Sequence, residues 1–196
     1  DLRSEQIVKG ETKVDAFEFV YLARPDSRIA GRSVYTARYN AGKALALASG
    51  VKADIVIGTP DSGLSAAAGY AHQSGISFEY GLLKNRYIGR TFIEPEKIRK
   101  NSVELKFNVI VESVAGKDII LIDDSLVRGN TLTYVIKLLK SYGAKKVHVR
   151  IASPPVKYAD FYGIDTPKSN DLLASHKSVE EICEIIEADS LAFLSL

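Results

Sequence analysis

Two adjacent carboxylates, Asp123 and Asp124, follow the apolar run Ile119 to Ile122, after which the chain turns through a small-residue loop in IILIDDSLVRGNT. Four successive apolar residues read as an interior strand of a parallel sheet covered on both faces. The acids then fall at the carboxyl end of that strand, the edge at which open α/β sheets bind ligands. The loop feeds a helix N-terminus, whose unpaired N–H groups and positive dipole end suit a phosphate. Acids beside an anion site repel the anion unless they do something else, such as accept hydrogen bonds from sugar hydroxyls or hold a divalent metal. A phosphorylated sugar bound together with a metal satisfies both conditions.

The elements that must position these residues alternate along the chain. FEFVYLA, Phe17 to Ala23, has the aromatic and β-branched content of a strand and is closed by the turn residues ARPDS. From Ser33 the spacing Val34, Ala37, Ala41, Ala44, Leu45, Ala48 predicts an amphipathic helix ending near Gly50. Ala53 to Gly58 is a second buried strand, leaving through TPDSG into the small-residue helix SAAAGYAHQSG, where the backbone can approach a ligand closely. Ile76 to Leu83 predicts a third strand. KNRYIGRTFIEPEKIRKNS shows no clean period, and a loop of that length, basic in character, reads as a lid over an anion. Leu105 to Ser113 is a short apolar run compatible with an edge hairpin. Leu132, Val135, Ile136, Leu138 and Leu139 define a helix ending before Gly143, and KKVHVRIASPP gives the next strand. Ser178 and Glu181 fit a capping box, and SLAFLSL is the last strand. This alternation implies an α/β fold with one doubly wound, mainly parallel sheet.

At 196 residues the chain suits one domain with a self-sufficient core, and the formal charge of +2 gives no argument for nucleic acid as a partner. No apolar run approaches the roughly 18 residues of a membrane helix, and the N-terminus lacks the apolar core of a signal peptide, so a cytoplasmic protein is expected. The single cysteine, Cys183, falls with Val179, Ile182 and Ile186 on an apolar helix face and reads as packing, compatible with a reducing cytosol. His72, His148 and His176 share no metal-ligand spacing and read as surface or packing residues. Residues 1–15 are polar and weakly patterned, and are expected to be a tail preceding a domain at 16–196.

The motifs taken together resemble the type I phosphoribosyltransferases, and within them the amidophosphoribosyltransferase family. The resemblance rests on EFVYLARPDS, TPDSG, KNRYIGRTFI, IDDSLVRGNT, RIASPP and FYGID in that order, covering the chain from about residue 15 onward. It implies the type I phosphoribosyltransferase fold with a flexible lid, and transfer of the phosphoribosyl group of 5-phosphoribosyl 1-pyrophosphate (PRPP) to ammonia, with Mg²⁺ as cofactor, in the first step of purine synthesis. Residue by residue, it implies that Asp123 and Asp124 contact the ribose hydroxyls and, with Ser62, define the magnesium environment. Ser125, Leu126, Val127, Arg128, Gly129, Asn130 and Thr131 would wrap the 5′-phosphate. Thr59, Pro60, Asp61, Ser62 and Gly63 would face the pyrophosphate, and Lys84 and Arg86 would be the catalytic cations of the lid. Purine nucleotides as inhibitors, a glutaminase domain or subunit as ammonia source, and a homo-oligomer are further implications.

The family's N-terminal glutaminase half has no counterpart in these residues, so an isolated phosphoribosyltransferase domain is expected. Two positions that hold iron–sulfur cysteines in some relatives align with Asp15 and Asp160, and no such cluster is expected. Two other readings stand beside the leading one: a salvage transferase joining a base to the same sugar, and a non-catalytic domain sensing PRPP or nucleotides. Ser62 also suits the N-cap of the helix it precedes.

Overall fold

The computed structural model describes residues 5, 10, 13–85, 107–160 and 172–195. A short helix with a π-turn at Glu18–Leu22 comes first, followed by the antiparallel pair β1 (Arg28–Ile29) and β2 (Arg32–Ser33). Helix α1 (Val34–Ala48), strand β3 (Ile55–Gly58) and helix α2 (Leu64–Ser74) follow. Strands β4 (Leu82–Lys84) and β5 (Phe107–Val109) pair antiparallel, and the helical turn α3 (Val111–Val114) leads to β6 (Asp118–Asp123). The chain continues through α4 (Asn130–Ser141), β7 (Lys146–Ile151), α5 (Leu173–His176), α6 (Val179–Ile185) and β8 (Ser190–Phe193).

The central sheet has the order β3-β6-β7-β8, every pairing parallel, as the alternation of elements requires. Period-two alternation on β6 divides the core. Ile119 and Leu121 pack with Leu132, Val135, Ile136 and Leu139 of α4 and with Ile182 of α6, while Ile120 and Ile122 pack with Leu45 of α1 and Ala67 and Tyr70 of α2. All four β6 residues are fully buried, which is why this run lacks the polar alternation of a half-exposed strand. The capping box at Ser178 and Glu181 is present with both hydrogen bonds, at 3.1 and 2.8 Å. Among the described residues, no helix is long and apolar enough to cross a membrane.

Four expectations are corrected. The run read as a strand over Phe17 to Ala23 is helical through Leu22, with Ala23 extended at its end: Asp15 Oδ1 accepts from Phe17 N at 2.9 Å, Ala23 N donates to Glu18 O at 3.0 Å, and Arg38 holds the carbonyls of Phe19 and Ala23. Local capping by Asp15 and a distant cation outweigh the strand composition. Helix α1 buries Val34, Arg38, Gly42, Leu45 and Ala46 and leaves Ala44 and Ala48 exposed. Its buried face is set by α2: a Cβ on Gly42 would come within 1.9 Å of Ala66 O, and one on Gly69 within 1.9 Å of Tyr39 O, so the two helices touch backbone to backbone. The third strand reduces to a single parallel bridge between Phe78 and Val56, after which Leu82–Lys84 turns away to pair with β5. In the run 105–113, Phe107–Val109 is the described strand and residues from Val111 are helical.

Candidate active site

The carboxyl edge of the sheet brings together the ends of β3, β6 and β7. Gly58 pairs with Ile122 in register, so Thr59 continues beside Asp123, and Thr59 N donates to Ile122 O at 2.9 Å. The turn Thr59–Gly63 folds back on itself through Gly63 N to Thr59 O, also 2.9 Å. Gly63 is required there, because a Cβ would lie 2.6 Å from Ile122 O. On the other side, Ala152 N donates to Asp123 O at 2.8 Å and ties the end of β7 to the acids.

Asp123 and Asp124 are 8% and 7% exposed. Asp124 N donates to Asp123 Oδ1 at 3.0 Å. The Asp124 carboxylate accepts from Ser62 Oγ on one oxygen and from Ser125 Oγ on the other. Burial pushes the Asp123 carboxyl well above the usual carboxylate range, and the charge of Asp124 adds to that push. Burial raises Asp124 as well, against the hydroxyls of Ser125 and Ser62 and the charge of Arg38. Two buried carboxylates side by side are a costly arrangement whose charge a cation or sugar hydroxyls would offset.

After the acids, the chain wraps through Ser125 to Gly129. Leu126 is buried in the core and anchors the loop, while Arg128, Asn130 and Thr131 are exposed. Gly129 has φ +76° and no side chain caps the start of α4, which leaves the N–H groups of its first turn without a side-chain acceptor at the cap. Leu173 N donates to Val127 O at 3.0 Å, which supports the loop from below. Helix α2 also starts without a side-chain cap. Ser62 is therefore not its N-cap; its hydroxyl is committed to Asp124.

Lys84 closes β4 and its Nζ lies 3.0 Å from Asp61 Oδ2. Arg86 and the rest of the basic segment to 106 lie outside the described residues, as does FYGID. Sequence reasoning missed Arg38. It is 6% exposed, donates to Phe19 O at 2.7 Å and Ala23 O at 2.8 Å, and lines a cavity of about 70 Å³ with Phe19, Ser62, Ala66, Asp124 and Ala152. Its signal was a cation on the face shared by Val34, Gly42 and Leu45.

Acids at the tip of a central parallel strand, a turn packed against them and an uncapped helix beyond form the edge at which open, parallel α/β proteins bind their ligands. The family model described as "Phosphoribosyl transferase domain" matches residues 38–158, and the chain belongs to that family. It is 52% identical over 186 residues to an amidophosphoribosyltransferase of Staphylococcus aureus (strain MRSA252), covering 94% of this chain and 38% of that protein. It is 50% identical over 194 residues to one of Pyrococcus horikoshii, covering 99% of this chain and 43% of the other. A solved structure, the glutamine PRPP amidotransferase from B. subtilis complexed with ADP and GMP, superposes with a TM-score of 0.83 at 50% identity, covering 91% of this chain and 40% of that one. The chain thus spans about two fifths of the length of the relatives it matches.

Proposed function

We propose that the protein transfers the phosphoribosyl group of PRPP to ammonia, releasing pyrophosphate and forming 5-phosphoribosylamine, the first step of de novo purine synthesis. The observation that carries this reading is the near-50% identity, over almost the whole chain, to proteins named amidophosphoribosyltransferases. The buried acid pair beside an uncapped helix start supports it chemically.

Cleaving the bond from the anomeric carbon to pyrophosphate gives the sugar oxocarbenium character while negative charge builds on the departing oxygens. The Asp123 and Asp124 carboxylates accept from ribose hydroxyls and place negative charge near the ring. The loop from Ser125 to Thr131 and the first turn of α4 offer N–H and hydroxyl donors to the 5′-phosphate. The turn Thr59–Gly63 presents main-chain groups to the pyrophosphate, and Lys84 supplies positive charge to the leaving oxygens. Ammonia attacks as the neutral amine and needs no strong base.

The donor chemistry fits Mg²⁺: Asp123, Asp124 and the Ser62 hydroxyl would hold it with hard oxygen donors, and no group of three or more His, Cys, Asp or Glu that could hold a metal exists among the described residues. When bound, the ion supplies positive charge at the pyrophosphate. Residues 16–196 form the transferase domain in this reading, and a cytoplasmic homo-oligomer, supplied with ammonia by a glutaminase domain or subunit and inhibited by purine nucleotides, is part of the same proposal.

The test is pyrophosphate release from PRPP and Mg²⁺ with ammonia, with a panel of purine and pyrimidine bases, and with neither. Release with ammonia is expected. Release only with a base would replace this reading by a salvage transferase, and PRPP binding without turnover would replace it by a sensing domain.

A further inference from the structure

The turn read as facing pyrophosphate contains an acid, which is the wrong sign for that task. Asp61 is exposed, with 72% of its side chain accessible, and its carboxylate would repel a bound polyphosphate unless its charge were offset. The offset comes from Lys84, whose Nζ reaches across from the end of β4 to donate to Asp61 Oδ2 at 3.0 Å. These residues are 23 positions apart and lie on different elements, so their pairing is not a by-product of helix or turn geometry.

We propose that Asp61 is a positioning residue that holds the Lys84 ammonium at the pyrophosphate end of the site and yields it to the pyrophosphate group of the substrate. This rests on the reading of Thr59–Gly63 and Lys84 given above and adds the anion that competes for the lysine. The exchange is chemically favoured. The ion pair is solvent-exposed on both sides, a class that contributes little stability, whereas pyrophosphate carries several charges and concentrates them on oxygens that lysine binds as a point charge. A carboxylate in the turn therefore presets the lysine without binding it tightly enough to block the ligand. Asp61 touches no reacting atom in this scheme and acts only through Lys84.

The experiment is a double-mutant cycle read by calorimetric titration of Mg-pyrophosphate, and separately of Mg-PRPP, into the protein, Asp61→Asn, Lys84→Gln and the double variant. Both side chains are more than half exposed, so neither substitution disturbs the core. Lys84→Gln is expected to weaken pyrophosphate binding. Asp61→Asn is expected to tighten it about two- to five-fold, the scale set by the weakness of exposed ion pairs. In the Lys84→Gln background the same Asp61→Asn change is expected to give a smaller gain, the relief of bare repulsion alone, and raising the salt concentration is expected to shrink both gains. If Lys84→Gln weakens binding but Asp61→Asn weakens it too or leaves it unchanged, the competition is overturned while the site reading stands. If Asp61→Asn tightens binding equally with and without Lys84, simple removal of a repelling charge explains the gain and the positioning role is overturned. If Lys84→Gln leaves pyrophosphate binding untouched, the pyrophosphate end of the site is misplaced and both readings fail.

Discussion

Asp123 and Asp124 show how a site can work against the fold that carries it. Burial disfavours the charged form of both, and at Asp123 the charge of Asp124 adds to it, so replacing Asp123 with a neutral isostere removes repulsion at the cost of a ligand contact. Asp123→Asn is expected to raise unfolding stability at neutral pH by about 0.5–2 kcal/mol, the usual gain when a functional strain is relieved. The same variant should weaken Mg²⁺-dependent PRPP binding by roughly ten-fold or more, the scale of a lost charged hydrogen bond. Thermal melts and titration calorimetry check both halves, and a variant that lost stability as well would contradict the electrostatic account. His148 gives a pH signature away from the acids. It is 9% exposed, its Nδ1 lies 2.9 Å from Ser190 Oγ, and burial followed by the charge of Arg150 pushes its pKa below the ordinary histidine value. Asp189 and Asp118 pull the other way, and Lys146 adds to the lowering. The folded state thus binds this proton less readily than the unfolded chain, so stability from this group is complete above the unfolded pKa and is lost as pH falls through it toward the lower folded value. Between pH 7.5 and 5.5, the wild-type Tm should fall more steeply than that of His148→Gln; parallel profiles would count against it.

At the scale of elements, the fit between α1 and α2 governs the placement of the turn that precedes α2. Gly42 and Gly69 let the helices meet at backbone distance, and that contact sets where α2 begins against β3. Gly42→Ala must push the helices apart, and a loss of about 1–3 kcal/mol, typical of overpacking, is expected with a drop in Tm of several degrees. Gly129 stands at the other helix start. Its φ of +76° is a conformation that costs a side-chain-bearing residue about 1–2 kcal/mol, and a Cβ there would also approach Leu173 Cδ1 to 2.9 Å. Gly129→Ala should therefore weaken binding of ribose 5-phosphate as well as stability. Unchanged affinity would show that the loop before α4 does not hold the phosphate.

Across the whole molecule, a ligand that bridges β3, β6 and α4 should act as a staple. Binding only to the native state stabilises it by about 2.7 kcal/mol at a hundred times Kd, which for a chain of this size is a rise in Tm of roughly 5–10 °C. PRPP with Mg²⁺ should produce this rise in a thermal scan, and chelation of the metal should abolish most of it. A shift that is indifferent to chelator would separate sugar binding from the metal.

What the sequence determined by itself was whatever local pattern encodes. The buried run of β6, the acids at its tip, the glycine before α4, the capping box at Ser178 and the small-residue helix after TPDSG are all visible because burial, turns and caps each demand particular residue types within a few positions. The alternation of these signals fixed a parallel α/β sheet. What only the tertiary structure decided depended on residues far apart in sequence. Phe17 to Leu22 is helical because Asp15 caps it and Arg38 holds the carbonyls of Phe19 and Ala23, and no strand-forming composition could reveal the arginine. The buried face of α1 follows from a backbone contact with α2, and the pairing of Lys84 with Asp61 follows from how β4 leaves the sheet. Local chemistry can be read one window at a time, whereas partners brought together by folding are chosen by the packing of the whole.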